Sequence, residues 1–236
     1  AAIRVNDYER GGQRAIAALK IDETSGLGTL SHPRGIATDS KGSVYVADWG
    51  KNRILKLTVA TGTWSALSSD LGSNLGELVE PYAITVDKTG NLYLMETGRE
   101  RVLKFDAVSH TWSVISTLAG PVGVSGLAVD DDGNLYAAET RGSRILKLTV
   151  AGEGAGTWSE LGDGPGNGPG QFQYPNGVAV DSIGNVYVAD SVNDRIQMWT
   201  AATDTWSEWK TLGAGLGSLN KPMGIVIDRH GNVYVV

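Results

Sequence analysis

Four carboxylates each stand five residues ahead of an arginine: Asp48 before Arg53, Glu96 before Arg101, Glu139 before Arg144 and Asp190 before Arg195. A carboxylate can act as general acid or base. These pairs, however, recur at one position of a repeated pattern, which argues for a structural part rather than an active centre. At this spacing a guanidinium reaches back across a four-residue connection and holds its turn with charge-assisted hydrogen bonds. The eight residues are therefore read as structural pairs.

Other chemistry-bearing stretches reduce to turns and loops. Asp130-Asp131-Asp132-Gly133-Asn134 resembles the start of a calcium loop, but no Glu follows at the twelfth position, and the stretch fits the ordinary turn of the repeat. Residues 162–170 are glycine-rich yet lack the Lys-Ser/Thr of a phosphate loop and open no helix, so they read as a long connection between units. His32, His110 and His230 occupy different repeat positions and do not suggest a common metal centre. With zero cysteines there is no disulfide, thiol catalysis or cysteine-rich zinc site, and no Gly-x-Ser-x-Gly elbow occurs. No catalytic residue, metal or cofactor is expected.

The elements that position these residues form a repeat. Its first copy reads Pro33-Arg34-Gly35-Ile36-Ala37-Thr38-Asp39, then Gly42-Ser43-Val44-Tyr45-Val46-Ala47-Asp48, then Arg53-Ile54-Leu55-Lys56-Leu57 and Thr63-Trp64-Ser65. Later copies start at Pro81, Val124, Pro175 and Pro222, at intervals of 43 to 51 residues, the range of a four-stranded propeller blade. No segment sustains a 3.6-residue period, which sets helical repeats aside. Within each copy an Asp-x-x-Gly turn (Asp39/Gly42, Asp87/Gly90, Asp130/Gly133, Asp181/Gly184, Asp228/Gly231) joins the first two strands. Its Asp accepts turn N–H groups and its Gly takes a positive φ.

The expected fold is all-β: one five-bladed β-propeller over residues 1–236. Residues 33–80, 81–123, 124–174 and 175–221 are complete blades. The closing blade is shared: residues 222–236 supply its first and second strands, and residues 1–32 its third and fourth. Ala2-Ile3-Arg4-Val5 and Arg14-Ala15-Ile16-Ala17-Ala18-Leu19 stand for those last two strands. Sharing one blade between the chain ends would close the ring and leave only short, protected edges. Swapping those strands between two chains would satisfy the same pattern and make a dimer, with a monomer as the simpler expectation.

Strand direction places the start of each inner strand and each second turn on one face of the disc, the candidate binding surface. Between Pro and Gly, or their equivalents, stand Arg34, Tyr82, Ser125, Asn176 and Met223, at the mouth of the central channel. The second-turn tips add Trp49, Arg99, Arg141 and Asn193. These nine are either ligand-binding or simply loop residues around a water-lined channel. An exposed Trp beside arginines suits stacking on a sugar ring or anchoring a protein partner. Trp64, Trp112, Trp158 and Trp206 share one repeat position and read as blade packing or outer-edge cover rather than a sugar-binding ring.

Composition narrows the partners. The chain has 32 glycines, a net charge of -6 and no basic run able to neutralise a phosphate backbone, so nucleic acid is not an expected partner. No apolar run is long enough to cross a bilayer, and Ala1-Ala2-Ile3-Arg4 lacks a signal-peptide pattern. No membrane insertion is expected.

Tyr174-Pro175-Asn176-Gly177-Val178-Ala179-Val180-Asp181, Gly184-Asn185-Val186-Tyr187-Val188-Ala189-Asp190 and Asn193-Asp194-Arg195-Ile196-Gln197 resemble NHL repeats, as does the approach Gly168-Pro169-Gly170-Gln171-Phe172. The resemblance covers essentially the whole chain. It implies a propeller that presents loops on one face to proteins, RNA or extracellular ligands; many members have more than five blades. The Thr-Trp-Ser wording around Trp64, Trp112, Trp158 and Trp206 is similar to bacterial secreted and cell-surface arrays, which implies a secreted or cell-surface domain. Resemblance of fold does not fix an activity. The expected function is a non-catalytic interaction scaffold for a protein or a small or glycan ligand. Two alternatives stay open: a metal-dependent propeller hydrolase or lyase, and a repeat-expanded or engineered scaffold without a dedicated ligand.

Overall fold

In every copy of the repeat the second strand is apolar on both faces, which is stable only if sheets stack on either side of it. The computed structural model describes residues 26–67, 75, 77–117, 123–150, 156–209, 219–228 and 230–236, and it shows that arrangement. Blade 1 comprises β1 (Pro33–Thr38), β2 (Val44–Asp48), β3 (Arg53–Thr58) and β4 (Thr63–Ala66). Blade 2 comprises β5 (Pro81–Val86), β6 (Leu92–Glu96), β7 (Arg101–Asp106) and β8 (Thr111–Thr117). Blade 3 holds β9 (Val124–Val129), β10 (Leu135–Glu139), β11 (Arg144–Thr149) and β12 (Thr157–Glu160). Blade 4 holds β13 (Pro175–Val180), β14 (Val186–Asp190), β15 (Arg195–Thr200) and β16 (Thr205–Trp209). Each is a four-stranded antiparallel meander, and β17 (Ile225–Ile227) with β18 (Val233–Val235) forms a two-stranded fifth sheet.

The core lies between blades. Leu92 and Leu94 of β6 pack with Tyr45, Ala47 and Ile54 of blade 1. Their neighbours Tyr93 and Met95, pointing to the other face, pack with Leu127, Leu135 and Ala137 of blade 3. The recurrent tryptophans also pack inside: Trp64 and Trp112 are buried, Trp158 Nε1 donates to Ser116 Oγ at 2.9 Å, and Trp206 meets Phe172 edge to face at 5.0 Å.

Inner strands pack in series, β1 on β5, β5 on β9, β9 on β13 and β13 on β17. Glycine after the variable position permits this approach. A Cβ on Gly126 would lie 2.5 Å from the Asn176 carbonyl oxygen, and one on Gly177 would lie 2.8 Å from that of Met223. The two ends of the series differ from its middle. Ile36 of β1 is 52% exposed, whereas its counterparts Ile84, Leu127, Val178 and Ile225 are buried, and Val226 of β17 is 62% exposed. The third and fourth strands expected for the closing blade, at Ala2–Val5 and Arg14–Leu19, lie outside the described residues.

The first turn repeats five times with one bonding scheme. In blade 1 Asp39 Oδ1 accepts the N–H groups of Lys41 and Ser43 at 3.0 and 2.8 Å, and Oδ2 accepts the Tyr45 hydroxyl at 2.9 Å. Asp87, Asp130, Asp181 and Asp228 do the same for Tyr93, Tyr136, Tyr187 and Tyr234. The turn glycines all have φ between 80° and 92°. Burial pushes the Asp39 and Asp87 carboxyls up, but these hydrogen bonds outweigh it and hold both below the usual value. Burial, with the facing carboxylate, raises the tyrosine hydroxyls. In blade 3 Asp130 also takes the Asp132 and Asn134 N–H groups at 3.0 and 2.8 Å, the same ordinary turn.

Candidate binding site at the channel mouth

β1 begins opposite the end of β2, with Pro33 paired to Asp48, so the inner-strand starts and second turns share a face. Asp48, Glu96, Glu139 and Asp190 close the second strands and are buried, each directly opposite its arginine. Arg53 Nε donates to Asp48 and Arg195 Nε to Asp190, both at 2.8 Å, and Arg101 and Arg144 bond Glu96 and Glu139 alike. The guanidiniums do more than hold their own turns. Arg53 also donates to the carbonyls of Leu27 and Thr29, Arg101 to that of Leu75, and Arg195 to those of Asn167, Gly168 and Gln171. The free carboxylate oxygens of Asp48, Glu96 and Asp190 accept N–H groups of Ser31, Val79 and Gln173. The clasps of blades 1, 2 and 4 thus tie the incoming connection to its blade. The glycine-rich stretch 162–170 is one such connection, held by Arg195.

On this platform a cavity of about 420 Å³ opens among blades 1 to 4. Of the nine residues expected at a binding face, Arg34, Trp49, Tyr82, Ser125, Arg141 and Asn176 line it. Met223, Arg99 and Asn193 do not. Met223 is 62% exposed, Arg99 donates to the Leu75 carbonyl at 3.1 Å, and Asn193 braces Gly166 and Asp190 at 2.9 Å each. Glu80, Met95, Thr97, Glu100, Gly123, Val124 and Thr140 complete the lining. Nothing in the repeat marks Glu80 or Glu100: they flank turns, each with a left-handed backbone, at φ 56° and 50°.

The residue after each buried acid differs between blades. Thr140 Oγ1 donates to the Pro175 carbonyl at 2.7 Å, and Ser191 Oγ to the Pro222 carbonyl at 2.5 Å, so blades 3 and 4 each latch the start of the next blade. Ser125 joins the first latch, donating to the Asn176 carbonyl at 2.8 Å, and the Asn176 amide donates to Tyr174 O and Ser191 Oγ. In blade 2 Thr97 Oγ1 bonds the Glu80 carbonyl of its own blade at 2.9 Å. In blade 1 the residue is Trp49. The Arg34 guanidinium carbon lies 5.7 Å from the Trp49 ring centroid and 5.5 Å from that of Tyr82, a cation near the faces of two aromatic rings.

No three His, Asp or Glu side chains converge to hold a metal among the described residues. His32 meets Trp49, His110 meets Phe105, and His230 sits in the last Asp-x-x-Gly turn, three separate places. No described helix is long and apolar enough to cross a membrane.

The NHL repeat family model matches residues 30–57 and 172–198, covering the first two strands and second turn, with the clasp, of blade 1 and of blade 4. The chain carries NHL repeats on a β-propeller fold. Its solved structural neighbours share the fold at low identity. Virginiamycin B lyase from Staphylococcus aureus superposes with a TM-score of 0.61 at 19% identity, over 86% of this NHL chain and 62% of the lyase chain. A chain of a nidogen/laminin complex gives 0.67 at 18% identity over 87% and 72% of the two chains. An auxiliary nutrient binding protein from Bacteroides thetaiotaomicron gives 0.67 at 14% identity over 88% and 57%. The NHL chain therefore spans less than two thirds of the lyase. No curated protein sequence matches it.

Proposed function

We propose that this NHL propeller is a non-catalytic interaction scaffold and that it engages a protein through the face carrying the inner-strand starts and second turns. The observation that carries this reading is the composition of that face. Beside the cavity stand three exposed apolar side chains, Tyr174, Val192 and Met223, at 55%, 46% and 62% exposure. The Val192 N–H bonds the Gln173 carbonyl next to Tyr174, and the Ser191 hydroxyl bonds Pro222 next to Met223, which brings the three segments together on this face. Apolar anchors next to Arg, Trp and Tyr form the mixture that protein interfaces favour. The neighbouring chain from the nidogen/laminin complex supports protein binding as a use of this fold.

Panning a displayed random-peptide library against the whole chain tests the proposal, with Met223→Asp and Tyr174→Asp as comparison baits. Enriched peptides should bind both variants at least tenfold more weakly, about 1.4 kcal/mol each. Peptides that bind wild type and variants equally would show that recognition lies elsewhere.

A further inference from the structure

Seven arginines stand at the mouth or in the second turns, and most are spent. Arg53, Arg101, Arg144 and Arg195 are bonded to buried acids, and Arg99 to a carbonyl. Arg34 is different: it lies over the Trp49 and Tyr82 rings, and its guanidinium has no hydrogen-bond or ion-pair partner among the described residues. Arg141, on the same cavity, also has none. The rings meet the Arg34 cation through their faces and take none of its N–H donors, which stay open to a ligand. A planar guanidinium fork suits a planar two-oxygen acceptor.

The same cavity carries Glu80 and Glu100, whose carboxylates are likewise unpartnered among the described residues. Two cations and two anions make the lining neutral overall, in a chain of net charge -6. Such a neutral lining has no net attraction for polyanions or dianionic phosphate, while Arg34 still offers a local fork to a single carboxylate. Because Trp49 and Tyr82 already face Arg34, the rings have less face to offer a sugar.

We propose that the cavity is a subsite for one acidic side chain of a protein partner, whose carboxylate takes the Arg34 fork with Arg141 nearby. This rests on the reading of the face as a protein-binding surface and names the chemistry it selects. The apolar group at Tyr174, Val192 and Met223 would then meet the flanking part of the same partner loop.

The test uses N-acetyl-glutamate amide, titrated into the isotope-labelled chain and followed by NMR at the Arg34 side chain and the Trp49 indole, assigned with Trp49→Phe. N-acetyl-glutamine amide and inorganic phosphate serve as comparison probes. The expected result is saturable shifts with the glutamate probe and binding at least about tenfold weaker for the uncharged amide, the scale of a charge-assisted hydrogen bond. Arg34→Gln should abolish the shifts at Trp49, and Arg34→Lys, which keeps the charge but not the fork, should weaken binding severalfold. Arg34 is exposed, so neither variant is expected to unfold the chain. Equal binding of the glutamine probe, tighter binding of phosphate, unchanged binding by Arg34→Gln or no shift at all would overturn the proposal. If the glutamate probe fails while panned peptides still lose affinity for Met223→Asp, the protein-binding face stands and only the carboxylate subsite falls. If both fail, the face itself is wrong.

Discussion

The two halves of the mouth use one backbone scaffold to opposite ends. In blades 3 and 4 the residue after the buried acid is Thr140 or Ser191, and its hydroxyl is consumed in holding the next blade. In blade 1 that residue is Trp49, which has no hydroxyl to give and instead faces Arg34. Blade 2 is intermediate, since Thr97 bonds its own blade. A single side chain in an otherwise constant turn thus decides whether a polar group stabilises the ring or stays available to a ligand. Repeat proteins separate stability from specificity in this way: constant positions carry the nearest-neighbour interfaces, and the free positions between them face outward.

The largest effect should come from breaking what the halves share. Removing Arg101 leaves Glu96, fully buried, with its charge unpaired and frees the connection at Leu75. Arg101→Ala should cost about 3–5 kcal/mol in urea unfolding. Arg144→Ala should cost less, because Arg144 is three times as exposed as Arg101, at 34% against 11%. Equal losses would mean that burial of the pair does not set its worth.

Next comes the latch of the closed half. Thr140→Val keeps the shape and deletes the donor to Pro175, so blades 3 and 4 lose one interblade hydrogen bond and Ser125 loses a partner. A loss of about 1–2 kcal/mol is expected by urea titration, since a half-buried hydroxyl bond contributes about 1 kcal/mol and an abandoned acceptor adds to it. Thr97→Val, whose bond stays within its blade, should cost less and should not raise hydrogen exchange in β9.

The clasps were legible because acid and arginine face each other across a short hairpin, a spacing that sequence alone displays. Their second role was not, because Leu27, Thr29 and Leu75 offer carbonyls that every residue possesses. The Asp–Tyr corner left a signal that could have been read, a Tyr six residues after each turn Asp in all five copies. At the mouth, the variable position between Pro and Gly located Arg34, Tyr82, Ser125 and Asn176 on one cavity, since equivalent positions in a ring converge. It could not tell that Ser125 and Asn176 would be drawn into latches, nor that Met223 would stand with Tyr174 and Val192. Those outcomes depend on contacts between residues 15 to 51 positions apart.

The corners at the other end of the strands are the constant background against which the mouth varies, and their response to acid is a smaller effect. Hydrogen bonds from the Asn232 side chain, then from the Asn232 and His230 N–H groups and the Tyr234 hydroxyl, overcome slight burial and bring the Asp228 carboxyl down to about 2 from 3.8. Its folded pKa lies below its unfolded one, so its contribution to stability is fully present above about pH 4 and is lost as pH falls towards 2. An NMR titration of Asp228 should show the low midpoint in wild type and a higher one in Asn232→Ala, still below 3.8 because the remaining donors persist. An unchanged midpoint would assign the shift to the backbone donors.

The smallest expected change in stability is the one that sharpens the contrast most. Trp49→Ser gives blade 1 the residue that blade 4 carries, and its hydroxyl would sit where it can donate to the carbonyl of Pro81 as Ser191 does to that of Pro222. The lost ring removes one of the two cation–π contacts of Arg34, and the gained bond offsets part of it, so unfolding free energy should move by less than about 1 kcal/mol. Arg34, freed on one side, should become more mobile by NMR relaxation and lose affinity for a carboxylate. If stability instead falls by several kcal/mol, Trp49 is a packing residue of the ring, and the difference between the two halves of the mouth is structural rather than a division between scaffold and site.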